Sequence, residues 1–217
     1  MATTTVHLVR HGQVENPQHV LYGRLPNWHL SELGRAMAAR VGEYFDGAPL
    51  THLRCSPLER AQETMAPIAE RHSELPITFD DRVIEAGNIF EGQVFGPSND
   101  ALRHPSAWRH LLNPFRPSWG EPYREIADRM RAAVHDAAEA AGEGGQAVIV
   151  SHQLPIWIAR LDAEGRPFFH DPRARQCSLA SVTSLTVAEG TVIRVAYTEP
   201  AADLLPQSSS RRFRVGL

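Results

Sequence analysis

Residues 4–12 constrain the fold of this chain more than any other stretch of the sequence. Their apolar, β-branched run ends abruptly in Arg10, His11 and Gly12. This pattern predicts a buried strand that stops at a turn and carries a guanidinium and an imidazole at its carboxyl end. In open α/β sheets, ligands bind at that edge of the sheet. A cation beside a nitrogen nucleophile suits the removal of a phosphoryl group from an anionic ester.

A second apolar run, at residues 147–150, ends in the same way at Ser151 and His152. If the two strands lie near each other in one sheet, both imidazoles reach the same crevice at its carboxyl edge. A helix predicted to start at Ser56 places Arg60 one turn inside a positive helix N-terminus, where anions are favoured. The three signals together point to an anion site.

The spacing of apolar residues predicts helices that alternate with strands. Ser31 and Ser56 are predicted N-caps, and Pro57 and Glu59 complete a capping box with Ser56. The predicted helices cover residues 31–47, 56–72, 101–112, 121–141 and 153–161. Extended segments are predicted at residues 52–55, 77–79, 82–84 and 147–150, followed by a hairpin of residues 181–187 and 191–197. This order indicates an α/β fold: a three-layer sandwich with a mixed, mostly parallel central sheet flanked by helices.

Composition excludes several classes of function. The 217 residues, 42% of them hydrophobic, suit a single domain, which we place at residues 1–200 with a flexible tail at 201–217. The net charge of −3 gives no reason to expect nucleic acid or a membrane as a partner. No segment is typical of a membrane span or a secretion signal, so we expect a cytoplasmic protein with reduced Cys55 and Cys177. Scattered histidines without ligand spacing predict no metal.

Several motifs follow one another in an order that is characteristic of one family. They lie at residues 8–12, 30–34, 55–64, 81–85, 90–92 and 148–152. In these motifs, and over about residues 5–197, the chain resembles the histidine phosphatase superfamily, the phosphoglycerate mutase-like proteins, in its phosphatase branch. The resemblance implies a phosphoglycerate mutase-like fold and a phosphoryl-transfer site.

The resemblance also implies a role for each residue that matches a motif. His11 is the expected nucleophile, phosphorylated on a ring nitrogen during turnover. Arg10, Arg60 and His152 are expected to hold the phosphoryl oxygens, and arginine forks match these oxygens two at a time. Glu85 is the expected proton donor to the leaving group, a contribution typically of about 10²–10⁴-fold. Neighbouring cations should keep His11 unprotonated for attack.

Two of these assignments have alternatives in the sequence. Glu91 or Asp81 is an alternative to Glu85 as the acid, although Glu85 follows an apolar pair and is expected to point into a crevice. Asn16 either donates its amide to a phosphate oxygen or only forms a turn with the proline that follows it.

The substrate mouth is predicted from residues around the phosphoryl site. Gly23 and Arg24 are candidates, as is Gln153, which stands where the family commonly has glycine. The loop-rich stretch after Glu85 adds spaced arginines, which would favour a second anionic group on the substrate: Arg103, Arg109 and Arg116.

These expectations combine into one hypothesis and two alternatives. We expect a metal-independent phosphomonoesterase that needs no cofactor and hydrolyses a small phosphorylated metabolite through a phosphohistidine. The first alternative is a cofactor-dependent phosphoglycerate mutase, and the second is a catalytically dead phosphate-binding or interaction protein. The oligomeric state is left open, with a homodimer as one expectation.

Overall fold

The computed structural model describes residues 3–94 and 120–205. The strands are β1 (Thr4–Arg10), β2 (Leu50–Cys55), β3 (Ile77–Phe79), β4 (Gln146–Ser151), β5 (Val182–Ala188) and β6 (Thr191–Thr198). The α-helices are α1 (Glu32–Tyr44), α2 (Glu59–Arg71), α3 (Tyr123–Ala141) and α4 (Gln153–Ala163). The strands form one six-stranded sheet in the order β3-β2-β4-β1-β5-β6.

The sheet is mixed, with β1 and β4 at its centre. β1 is parallel to β4, β4 to β2, and β2 to β3. β5 runs antiparallel to β1 and forms a hairpin with β6 through Glu189 and Gly190, whose φ angles are 50° and 74°. Consecutive positive φ values favour a tight hairpin turn. The prediction of a mixed, mostly parallel sheet is confirmed.

Helices cover both faces of the sheet and bury two apolar cores. Ala147 and Ile149 of β4 face the core under α3 and α4, whereas Val148 and Val150 face the core under α1 and α2. A strand buried on both faces needs apolar side chains at every position, which explains the unbroken run in β4. The three-layer prediction is therefore correct.

One predicted helix start is wrong. Ser31 caps α1 as expected, since its side chain accepts a hydrogen bond from the Gly34 amide. The capping box at Ser56 does not form, and α2 begins at Glu59 after Leu58, without a side-chain cap. The Ser56 hydroxyl instead lies 2.8 Å from His152 Nε2. A tertiary contact therefore replaces the local one.

Two further boundaries differ from expectation. Of the predicted extended residues 82–84 only Ile84 is extended, because Asp81–Val83 form a 3₁₀ turn in which the Asp80 side chain accepts from the Arg82 amide. Residues 201–205 were assigned to the flexible tail, but Ala201 is buried and Ala202–Leu204 form a 3₁₀ turn. The tail boundary at 201 is thus too early. Residues 206–217 and the helix predicted at 101–112 lie outside the described residues.

None of the helices in the described part of the chain combines the length and the apolar character that crossing a membrane requires.

The loop after β1 packs directly against the first turn of α1, and two glycines allow this approach. A Cβ on Gly34 would lie 2.0 Å from the Gln13 carbonyl oxygen, and one on Gly12 would lie 2.5 Å from the Gly34 carbonyl oxygen. Both contacts are with backbone atoms, which no side-chain rotation relieves. The glycines therefore fix the backbone that carries His11.

Replacing Gly34 with Ala should destabilise the fold by about 1–3 kcal/mol, because the added methyl group overpacks a rigid contact. Urea denaturation measures the free energy of unfolding. Gly87→Ala is a suitable control, since its Cβ would meet only the flexible Arg24 side chain, at 3.6 Å. Equal unfolding free energies for the wild type and Gly34→Ala would contradict the prediction.

Candidate active site

The parallel pairing of β1 with β4 brings two histidines to the same edge of the sheet. Arg10 is in register with Ser151, and the His11 amide donates to the Ser151 carbonyl at 3.2 Å. His11 and His152 each follow the end of their strand, and their ring centroids lie 5.2 Å apart. The structure therefore joins the two strand ends that the sequence singled out.

His11 is buried and held in one orientation. Its Nδ1 lies 2.7 Å from the Gly12 carbonyl oxygen, which can only accept, so Nδ1 carries the proton and Nε2 is free of it. Burial, and then the charges of Arg60 and Arg10, hold the pKa of His11 well below its usual value. Arg10 is itself buried and donates from Nη1 to the Cys177 carbonyl at 2.7 Å. The ring is thus neutral, with a lone pair on Nε2.

Arg60 is fully buried and is the second residue of α2, nearer the helix start than the sequence predicted, because α2 begins at Glu59. Its Nη2 donates to the Gly23 carbonyl at 2.5 Å, and its guanidinium lies over the Tyr22 ring, 4.7 Å from the centroid. Its Nε and Nη1 have no hydrogen-bond partner among the described residues. Buried donors of a charged group are costly to leave unpaired, so this guanidinium is suited to binding an anion.

His152 also presents an unpaired buried atom. The Ser56 hydroxyl lies 2.8 Å from Nε2, and Nδ1 has no partner in the described part of the chain. Both groups are satisfied when the hydroxyl donates to Nε2, which leaves the proton on Nδ1 as a free donor. Burial, followed by the charge of Arg60, holds the pKa of His152 well below its usual value. The ring is therefore a neutral hydrogen-bond donor.

Glu85 is the carboxyl group on which the charges of these arginines act. One carboxyl oxygen accepts the Ala86 amide at 2.8 Å. Burial raises the pKa of Glu85, although the Ala86 amide and the charges of Arg60 and Arg10 oppose the shift. A carboxyl group with a raised pKa is protonated over a wider pH range, as a proton donor requires.

The backbone that carries Glu85 is clamped from two sides. Arg129 of α3 donates to the carbonyls of Arg82 and Ile84 and pairs with Glu121. Arg24 donates from Nε to the Glu85 carbonyl at 2.6 Å and from Nη2 to Glu121 at 2.8 Å. The two arginines share one carboxylate and together fix the position of the acid.

Arg24 braces the backbone of Glu85, and its predicted place at the substrate mouth stays a prediction. Gly23, predicted for the same region, gives its carbonyl to Arg60 and has a φ of 42°. A Cβ on Gly23 would lie 2.3 Å from the Glu91 carboxylate, so only glycine fits there without a shift. Gln153 begins α4, and its Oε1 lies 3.5 Å from Arg175 Nη1.

Asn16 hydrogen bonds within its own loop. Its Oδ1 accepts the Val20 amide and its Nδ2 donates to the Val20 carbonyl, both at 2.9 Å. These contacts match the turn interpretation, and its predicted contact with phosphate stays a prediction. Of the alternative acids, Glu91 accepts the Asn88 amide and Asp81 is exposed in the 3₁₀ turn.

The sequence did not reveal three residues that organise the site. Ser56 orients His152 rather than capping a helix, and Tyr22 packs against the Arg60 guanidinium. Thr64 lies one helical turn after Arg60, donates to its carbonyl and accepts the Gly12 amide at 3.1 Å. The four-residue spacing from Arg60 was the one available signal, since it places Thr64 on the same face of α2.

Among the described residues, one group has the spacing of metal ligands. It consists of His135, Asp136 and Glu139, on the outer side of α3. Asp136 already pairs with Arg82 at 2.8 Å, and His135 lies 3.8 Å from Glu139. Exposed groups of this kind are common without an ion, and none of the three lies among the site residues described above.

The carboxyl edge of the mixed sheet holds two neutral histidines among buried guanidiniums. This arrangement defines an α/β protein with a binding site for an anion such as a phosphoryl group. Comparison with known proteins identifies its family. The family model of the histidine phosphatase superfamily (branch 1) matches residues 6–199. The chain belongs to this superfamily and has its phosphoglycerate mutase-like fold.

Individual relatives span nearly the whole chain. "Uncharacterized protein Rv0525" of Mycobacterium tuberculosis is 51% identical over 199 residues, which are 92% of this chain and 98% of that protein. "Probable phosphoglycerate mutase GpmB" of Salmonella choleraesuis is 28% identical over 203 residues, 88% of this chain and 91% of that protein. The mycobacterial glucosyl-3-phosphoglycerate phosphatase Rv2419c, solved in complex with VO3, is 25% identical with a TM-score of 0.71, over 89% and 96% of the two chains.

Replacing His152 with Asn should make the free energy of unfolding depend less on pH at acidic pH. Burial lowers the pKa of His152, so below the usual value of 6.5 the unfolded chain binds the proton that the folded chain does not. The free energy of unfolding should therefore fall as the pH decreases. His152 should contribute about 1 kcal/mol of that loss between about pH 7.5 and about pH 5.5.

Urea denaturation at several pH values measures this slope. The raised pKa of Glu85 changes the free energy of unfolding with pH in the opposite direction. The test therefore compares the pH slope of the unfolding free energy in each variant with that of the wild type. His19→Asn, at an exposed histidine, is the matched control and should keep the wild-type slope. A His152→Asn slope equal to that of the wild type would refute the neutral, buried state of His152.

Proposed function

We propose that the protein is a metal-independent phosphomonoesterase that hydrolyses a small phosphorylated metabolite through a phosphohistidine on His11. The observation that carries this proposal is the set of buried donors without partners in the described part of the chain: Nε and Nη1 of Arg60 and Nδ1 of His152. The His152 ring lies 5.2 Å from the ring of the neutral His11, and the charges of Arg60 and Arg10 act on His11. An anionic group bound there satisfies them and faces the nitrogen lone pair.

In the first step, His11 Nε2 attacks the phosphorus of the ester. The N–P bond forms while the bond from phosphorus to the leaving oxygen breaks, and the carboxyl group of Glu85 gives its proton to that oxygen. The Gly12 carbonyl holds the Nδ1 proton of His11 and stabilises the charge that develops on the ring. The products are a free alcohol, an ionised Glu85 and the phosphohistidine.

In the second step, water takes the place of the alcohol. The ionised Glu85 accepts a proton from this water as its oxygen attacks phosphorus, and the N–P bond breaks. His11 regains its neutral state and phosphate leaves, with Glu85 protonated again. Arg10, Arg60 and His152 hold the phosphoryl oxygens in both steps. They are fixed before the substrate arrives, so they stabilise the transferring group without reorganisation.

His11→Asn should lower kcat by at least about 10³-fold, because it removes the nitrogen that attacks phosphorus. Phosphate release from a panel of phosphorylated metabolites is the measurement, with EDTA present to test independence from metal. The exposed His135→Asn is the control and should keep wild-type activity. A denaturing quench with ³²P-labelled substrate should trap an acid-labile phosphoprotein in the wild type only.

The same assay distinguishes the mutase alternative, which the Salmonella relative named as a probable phosphoglycerate mutase favours. A mutase would interconvert 3- and 2-phosphoglycerate in the presence of 2,3-bisphosphoglycerate and release little inorganic phosphate. Phosphate release that persists in His11→Asn would overturn both activities. Phosphate binding without turnover in the wild type would favour the non-catalytic alternative.

Glu85→Gln should lower kcat/KM by about 10²–10⁴-fold for an alkyl phosphate and much less for p-nitrophenyl phosphate, whose leaving group needs no proton. The wild-type value for the alkyl ester should decline as the pH rises through the raised pKa of Glu85, and the variant should lack this decline. Glu91→Gln tests the alternative acid. A larger loss in Glu91→Gln than in Glu85→Gln would assign the proton donor to Glu91.

A further inference from the structure

Arg175 lies beside the phosphoryl site but takes no part in the proposed reaction. It comes two residues before Cys177, whose carbonyl accepts Arg10 Nη1 at 2.7 Å. Its own Nη1 lies 3.5 Å from Gln153 Oε1. Because Gln153 directly follows His152, Arg175 is held between the Arg10 side of the site and the N-terminus of α4.

His170 fixes the orientation of this guanidinium without neutralising it. Arg175 Nε donates to His170 Nε2 at 2.8 Å, and His170 Nδ1 donates to the Phe168 carbonyl at 2.7 Å. A guanidinium only donates, so the ring that accepts from it is neutral. Tyr123 and Trp157 contact the His170 ring, with centroids 5.7 Å and 5.8 Å away. The residues that position Arg175 thus leave its positive charge intact.

In the described part of the chain, Arg175 forms no ion pair with a carboxylate. Its Nη2 makes no hydrogen bond there, and no carboxylate pairs with it. By contrast, the similarly buried Arg129 and Arg160 each pair with a glutamate at 2.8 Å. Burial lowers the pKa of Arg175, and its charge acts on Glu85. The guanidinium is thus a buried charge held beside Gln153 at the start of α4, without an ion-paired carboxylate among the described residues.

We infer that Arg175, oriented by His170 and Gln153, is a second anion subsite that binds a carboxylate or a second phosphate on the leaving group. This inference rests on the proposed function and deepens it by naming the substrate class. Carboxylate and phosphate both match the planar guanidinium fork. The first turn of α4, an 11-residue helix without a side-chain cap, adds positive potential on the same side. The substrate class is a phosphomonoester that carries a second anionic group.

Three phosphate esters with the same three-carbon chain length test this subsite. At the end of the chain opposite the ester phosphate, they carry a methyl group (propyl phosphate), a carboxylate or a second phosphate. The wild type should favour the two anionic-ended esters by about tenfold to a hundredfold in kcat/KM, mainly through KM. The carboxylate and bisphosphate arms then show which anion fits better.

Arg175→Gln should remove this preference and leave kcat/KM for propyl phosphate within about twofold of the wild type. Arg175→Lys should retain part of the preference, since it keeps the charge and loses the fork. His170→Phe, which removes the acceptor that orients the guanidinium, should reduce it as well. Arg173→Gln makes the same change at an exposed arginine of the same segment and should leave kcat/KM unchanged for all three esters.

Equal losses for all three esters in Arg175→Gln would place Arg175 in the phosphoryl site and overturn the inference. A wild type without preference for an anionic end would also overturn it, while leaving the phosphatase proposal intact. Calorimetric binding of the same three phosphates to His11→Asn, with and without Arg175→Gln, gives the ranking without turnover. This ranking tests the subsite even if the hydrolysis proposal fails.

Discussion

The parallel pairing of β1 with β4 is the constraint on which the rest of the site depends. It sets Arg10 opposite Ser151, so that both strands stop at the same level and the histidines that follow them become neighbours. The pairing is secured by apolar side chains on both faces of the two strands, not by the site residues. The apolar residues within β1 and β4 therefore stabilise the fold, while the polar residues at the ends of the same strands form the site.

Burial of positive charge is the second organising feature of the site. Arg60 has no exposed surface and Arg10 is nearly as buried, and their charges help to hold His11 neutral. The same burial raises the pKa of Glu85. One low-dielectric crevice thus favours an unprotonated nitrogen on His11 and shifts Glu85 towards its protonated form, the pair that phosphoryl transfer to nitrogen needs.

Contacts between segments that are far apart in the sequence orient Glu85 and His152. Arg24 and Arg129 share Glu121 and hold the backbone around Glu85, while Ser56 orients His152. The sequence assigned Ser56 to a helix cap and gave no sign that Arg24 would brace Glu85, because local patterns show only neighbouring partners. Three-dimensional packing offered each of them a different partner more than 60 positions away.

The sequence by itself determined the layered α/β fold and brought forward Arg10, His11, Arg60 and His152. The periodicity of strands and helices and the polar residues at strand ends are local patterns, and the folded structure retains the elements that they predict. Only the tertiary structure decided which donors lack partners, which way the His11 imidazole faces, and that Arg175 lies between His170 and Gln153. These properties depend on burial and on contacts between segments far apart in the chain, and no local pattern encodes them.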